Sequence, residues 1–244
     1  MSSVRLRSLA AVLAATVASL VPAAALAGVV VSSSGPSASS YPVGRQIGDN
    51  EPFVLKVDDT ITVLDSNGTR VFSGAGTFTL SAHEGPSKAG AFAILTRQRA
   101  AQRMRTGAVR AGDEGGPVSS PNLWYVDVRT SGAMCLASPD EVRLWRPTTE
   151  GEASYTIKAA GADATAEATF HDGEMLAPWD DSALPVSDGA SFVLSRPGGE
   201  DRTITFKVLD SVPDQADALA EKLIANGCTT QLKVLSSAMK VAEE

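Results

Sequence analysis

Residues 60–80 read TITVLDSNGTRVFSGAGTFTL, and this stretch decides the fold class. Apolar and polar side chains alternate to Leu64, Asn67-Gly68 interrupts them, and the alternation resumes at Thr69. A period of two sends successive side chains to opposite faces of a strand, so the pattern is a half-buried β-hairpin. With Asn67 and Gly68 at the centre of a type I′ turn, Ser66 faces Thr69, Asp65 faces Arg70, Leu64 faces Val71 and Val63 faces Phe72. Ile61, Val63 and Phe72 then share one face, with an Asp65/Arg70 pair at its rim, and Gly68 needs positive φ. Gly74 and Gly76 mark a bend or bulge. A phosphate loop is excluded, because no Gly-Lys-Ser/Thr follows and no helix opens at once. Asn67-Gly68-Thr69 also fits an N-glycosylation acceptor, but the turn accounts for it.

Working outward, Phe53, Leu55 and Val57 alternate as a further strand. Gly28 to Val31 could begin another, and the Ser-rich run at 32–40 has the composition of a connector. The expected order is a flexible segment at 28–40 and a β domain at 41–86. Ahead of them, Arg5 and Arg7 precede an apolar run from Leu9 to Val21, and Ala25-Leu26-Ala27 is a small-x-small site. This is the layout of a signal peptide over residues 1–27, cleaved after Ala27. An uncleaved anchor is the alternative reading, though the run is short for a hydrocarbon core of about 30 Å. The expected location is the bacterial periplasm or the exterior.

Residues 88–105, KAGAFAILTRQRAAQRMR, lose the β-branched character and predict a basic linking helix over 87–107. Arg97, Arg99, Arg103 and Arg105 are its candidate contacts to a partner's acidic surface or to anionic lipid. The alternative is a connector whose arginines pair with this chain's own carboxylates. A loop at 108–122 follows. Over 123–210, LWYVDV, MCLAS, EVRLW, ASYTIKA, ATAEATF, ASFVLSR and TITFKVL recur between turn signals, predicting a small antiparallel β-sandwich. Residues 211–244 read as helical. Ser211 with Asp214 resembles a capping box, Asn226-Gly227 stops a first helix, and Leu232, Leu235 and Met239 face inward on a second. The fold class is mainly β, with a linking helix and C-terminal helices.

The formal charge of −7 on 244 residues excludes a nucleic-acid footprint, and loss of Arg5 and Arg7 makes the mature chain more acidic still. In an oxidising compartment Cys135 and Cys228 are the one possible intramolecular disulfide, closing a loop worth about 4–5 kcal/mol in the chain-entropy model. Two separate buried thiols are the alternative. His83 and His171 each sit among turn residues, and neither lies at metal spacing from a second ligand. The run from Asp58 lacks the glycine of an EF-hand loop, and no Gly-x-Ser-x-Gly elbow occurs. Asp127, Asp180 and Asp181 are the carboxylates available for acid–base work on sugars, which needs only two. Trp124, Trp145 and Trp179 are candidate sugar platforms or, more simply, core residues. No cofactor is implied.

At about residues 53–80, Phe53-Val54-Leu55, Asp59, Ile61-Thr62-Val63-Leu64, Gly68-Thr69-Arg70 and Gly74-Ala75-Gly76-Thr77-Phe78 resemble the β domain of FecR-type periplasmic signalling proteins. A Gly-Asp pair precedes the hairpin in that family, and here Val57-Asp58-Asp59 replaces its glycine. The eight residues before the apolar run are too few for the cytoplasmic anti-sigma segment of FecR proteins. The resemblance therefore implies an extracytoplasmic sensing or interaction module without a regulatory arm. The function expected is a non-enzymatic periplasmic binding or scaffold module for a protein partner or envelope component. A carbohydrate- or peptidoglycan-binding module and a carboxylate-dependent hydrolase are the alternatives.

Overall fold

A computed structural model of the chain describes residues 27–81, 87–97 and 119–240. The signal peptide, apart from Ala27, lies outside them, as do His83, Arg99, Arg103 and Arg105. The fold is mainly β, as the alternation predicts. Its first strands are β1 (Ala27–Ser34), β2 (Gln46–Gly48), β3 (Phe53–Leu55), β4 (Thr60–Leu64), β5 (Thr69–Ser73) and β6 (Gly76–Phe78). They make a four-stranded sheet in the order β2-β1-β4-β5 and a separate β3-β6 pair.

The β4–β5 hairpin forms where the alternation places it, but its register is displaced by two residues. Leu64 faces Thr69, Val63 faces Arg70 and Ile61 faces Phe72. A displacement of two returns every side chain to its own face. Ile61, Val63 and Phe72 are therefore buried together as expected, against Val30, Phe53 and Leu80. The turn type is corrected. Its central residues are Ser66 and Asn67, flanked by an Asp65 N–H to Gly68 carbonyl bond of 3.0 Å. Asp58 is the one non-glycine described residue with positive φ, and Gly68 is not among the positive-φ glycines, so the turn is not type I′. Asp65 Oδ1 instead accepts the N–H groups of Asn67 at 2.8 Å and Gly68 at 3.0 Å, an Asx arrangement that closes the loop without left-handed backbone. Arg70 pairs with the same carboxylate and donates to the Leu80 carbonyl at 2.7 Å.

Residues 28–40 are not a flexible segment. β1 lies between β2 and β4, with Val29 and Val31 on one face of the sheet and Val30 on the other, all buried. Beyond Ser34 the chain turns at Gly35, φ +97, and Ser37 donates its N–H to Asp59 Oδ1 at 2.7 Å. The other oxygen of Asp59 accepts the Lys56 N–H at 2.5 Å. A buried carboxylate thus collects backbone donors from two turns, which a Ser-rich composition does not reveal.

The second half contains β7 (Tyr125–Asp127), β8 (Gly132–Leu136), β9 (Arg143–Trp145), β10 (Ala153–Ala159), β11 (Thr165–Phe170), β12 (Leu176–Pro178), β13 (Ser191–Ser195) and β14 (Arg202–Val208). A five-stranded sheet, β11-β10-β13-β14-β8, faces a three-stranded one, β12-β9-β7. Tyr155, Ile157, Phe170, Phe192, Leu194 and Phe206 alternate inward from the large sheet and meet Leu144, Ala177 and Trp179. The sandwich is mixed rather than wholly antiparallel, because β8 runs parallel to β14 and β7 parallel to β9. The chain leaves the small sheet for β8 and returns for β9, and the two reversals restore its direction.

Three helices complete the described residues: α1 (Ala89–Leu95), α2 (Ala216–Ala225) and α3 (Thr229–Ala238). The capping-box reading is corrected, since α2 starts after Gln215 with no side-chain cap, and Ser211 Oγ instead accepts from Lys222 Nζ at 3.0 Å. Gly227, at φ 71, ends α2 as predicted. Leu219, Leu223, Leu232, Leu235 and Met239 fill one cluster with Val29, Leu64, Trp124 and Cys135. The helical layer therefore packs on the N-terminal sheet and on β8 alike. Cys135 and Cys228 form the predicted disulfide, with Cα atoms 5.9 Å apart, joining β8 to the residue that opens α3.

Candidate binding surface

The basic linking helix is corrected in extent. α1 stops at Leu95, so Arg97 lies beyond the helix, exposed, and the other three arginines fall outside the described residues. The cause is local. Leu123 N–H takes the Leu95 carbonyl at 3.0 Å, Trp124 Nε1 takes that of Thr96 at 2.8 Å, and Asn122 Nδ2 takes that of Arg97 at 2.8 Å. Three consecutive carbonyls that a longer helix would use internally are claimed by residues 122–124. What α1 exposes is apolar: it carries no charged residue, and Ile94 is 66% exposed.

All three tryptophans are core residues, so none serves as a sugar platform. Trp124, Trp145 and Trp179 are each at most 6% exposed. Trp179 donates to the Leu184 carbonyl at 2.8 Å and packs edge-on against Phe192 and Phe206. Trp145 lies under the Arg129 guanidinium, 5.2 Å from the ring centre. Large indoles supply the apolar bulk that a thin sandwich needs; the N–H groups of Trp124 and Trp179 reach carbonyls, while the buried Trp145 N–H meets no acceptor among the described residues.

The candidate carboxylates are bound into turns. Asp127 holds Arg129 in a fork, with Nε 2.9 Å from Oδ1 and Nη2 2.6 Å from Oδ2, and these bonds raise the guanidinium's affinity for its proton. Asp180 accepts from the Ser182 hydroxyl at 2.6 Å and from the N–H groups of Ser182 and Ala183, which hold its carboxyl below the ordinary range. Asp181 moves the other way, raised by burial and by the neighbouring Asp140 and Asp180. His171 is exposed, and its Nδ1 meets Glu152 at 3.4 Å. No group of three or more metal-ligating side chains occurs among the described residues.

A crevice of ≈ 30 Å³ opens between α3 and the β7–β8 turn, lined by Asn122, Tyr125, Asp127, Ser131, Thr230 and Gln231 among others. That volume holds about two waters, not a substrate. A second hollow, on the β10–β11 turn at Lys158 and Gly161–Asp163, is shallow.

Two buried polar residues outside the sequence reading organise the fold. Gln231 Oε1 accepts the Cys135 N–H at 2.6 Å, while Nε2 donates to the carbonyls of Cys135 at 2.9 Å and Leu123 at 2.8 Å. The side-chain amide acts as one more strand against the edge of β8. Its signal is a glutamine inside the apolar stripe Cys228, Leu232, Leu235, Met239. Arg146, 5% exposed, donates to the carbonyls of Glu174 at 2.8 Å, Gly151 at 2.7 Å and His171 at 2.9 Å, pinning two loops.

Apolar exposure is unevenly placed. The large exposed apolar side chains among the described residues are Val43, Val54, Val57, Val71 and Ile94, with none in residues 119–240. The N-terminal strands, their turns at Val43 and Val57, and α1 therefore carry the exposed apolar surface, and the sandwich has no large exposed apolar side chain. No family model, curated protein or solved structure matches the chain.

Proposed function

We propose that the chain is a non-enzymatic exported protein of the bacterial periplasm or exterior, a binding or scaffold module for a protein partner or cell-envelope component. The observation that carries this reading is the set of exposed valines on the N-terminal strands and the turns beside them, with Val54 of β3 at 58% and Val57 of the β3–β4 turn at 66%. The sandwich, helices and disulfide then serve as the rigid base that presents them. A buried disulfide fits an oxidising compartment, and no helix among the described residues is long and apolar enough to cross a membrane. The likeness to a FecR-type β domain fits as well. Asp58, where that pattern has glycine, takes φ 67, a conformation that suits glycine. Asp127 and Asp180, committed to turns, are poor candidates for a hydrolytic pair, and the buried indoles leave the sugar-platform reading without a surface.

The test is site-specific photo-crosslinking in cells that export the protein, from residue 54 or 57 and from the exposed Thr156 and Thr203 of the sandwich. Adducts from the first pair alone are expected. Adducts confined to the sandwich positions, or none at any, would overturn the reading.

A further inference from the structure

Resting on that reading, we infer that the outer edge of β5 accepts a parallel β-strand from the partner polypeptide. β5 ends the four-stranded sheet. The Asp65 to Gly68 bond sets the phase of the hairpin, because bonded and non-bonded pairs alternate along an antiparallel ladder. Arg70 and Phe72 therefore turn their peptide groups inward to β4, and Thr69, Val71 and Ser73 turn theirs outward. The first of these shows it directly: Thr69 donates its N–H to the Met239 carbonyl at 2.7 Å and forms a parallel bridge with Lys240. The chain has thus seated the start of a parallel strand on this edge.

Among the described residues no backbone partner meets the outward groups of Val71 and Ser73, and both side chains are exposed, Val71 by 37%. The usual guards of an edge are a lysine, a proline or a bulge. None falls at Val71 or Ser73, and the nearby Arg70 is drawn inward to Asp65 and Leu80. Alternating outward N–H and C=O groups are read by another backbone, not by a glycan or a lipid. The direction follows from Met239 and Lys240, whose line an incoming segment continues. Its side chain beside Val71 is small or β-branched, as cross-strand packing favours.

Val71→Pro removes the outward N–H and leaves the inward ladder whole, because that N–H makes no bond to β4. Val71→Thr keeps the N–H. With a photo-crosslinker at residue 73 in exporting cells, an intermolecular adduct is expected, mapping by mass spectrometry to an extended segment of one protein. Its yield should fall about five-fold in Val71→Pro, for one lost hydrogen bond, and stay near wild type in Val71→Thr. Val71→Lys, a milder edge guard, should also lower it, and retention of the Cys135–Cys228 bond with an unchanged melting temperature shows that each variant is folded. A yield indifferent to proline and lysine overturns the proposal, as does an adduct lost on deletion of residues 241–244 or found to be intramolecular. Persistence of the residue 54 and 57 adducts in that case leaves the broader binding reading standing.

Discussion

Gln231→Leu is the sharpest probe of how the two halves are held together. Leucine keeps most of the buried volume and removes three hydrogen bonds, to Cys135 N–H, Cys135 carbonyl and Leu123 carbonyl. Each neutral bond is worth about 1 kcal/mol net, and a buried N–H left without a partner costs about 1–3 kcal/mol. The sum is about 4–6 kcal/mol, or roughly 8–24 °C in melting temperature for a chain of this size. Urea unfolding read by far-ultraviolet circular dichroism measures it, with the m-value checked for constancy. Gln231→Glu separates hydrogen bonding from packing: its ionised carboxylate accepts from Cys135 but faces two carbonyls it cannot satisfy, so its penalty grows as pH rises through the carboxyl's titration. A loss below about 0.5 kcal/mol for Gln231→Leu, the range of ordinary surface changes, would refute the idea that this amide closes the edge of β8.

Thiol labelling of the native protein should find no free sulfhydryl, and replacing both Cys135 and Cys228 by Ala should cost about 4–5 kcal/mol in the chain-entropy model, read by denaturation. Gly35→Ala should lower stability by about 2–4 kcal/mol, because a Cβ there adds a 2.5 Å contact with the Asp58 carbonyl to a φ of +97. Gly74→Ala, at φ +77 with nothing within 4 Å, should cost only about 1–2 kcal/mol, so equal losses for the two would discount the contact. Asp59 supplies a pH signature. Burial opposes its ionisation, but the bonds from Ser37 and Lys56 prevail and hold the carboxyl below its ordinary 3.8. The unfolded state then binds the proton more readily, so this contribution is present above that value and fades as pH falls through the lower folded one. Asp59→Asn should flatten the acid limb of the stability curve, and an unchanged limb in pH-dependent urea melts would assign that limb elsewhere.

The chain's own residues determined the local matters. Alternation at 60–80 located a hairpin and its buried face, because side-chain direction depends on a period of two and survives a register displacement of two. Asn226-Gly227 ended α2, and two cysteines in a chain read as exported had one way to pair. What needed distance was invisible. Asp65, not a left-handed glycine, closed the hairpin turn. The Ser-rich stretch was drawn into the fold because Asp59, more than twenty residues away, supplied its acceptor. The linking helix ended at Leu95 because Asn122–Trp124 took its last carbonyls. Gln231 became part of a sheet edge only when α3 was laid against β8. Periodicity records which face a residue turns inward; only the folded chain decides which buried hydrogen-bonding group meets which, since that choice depends on what other segments bring to the same few ångströms.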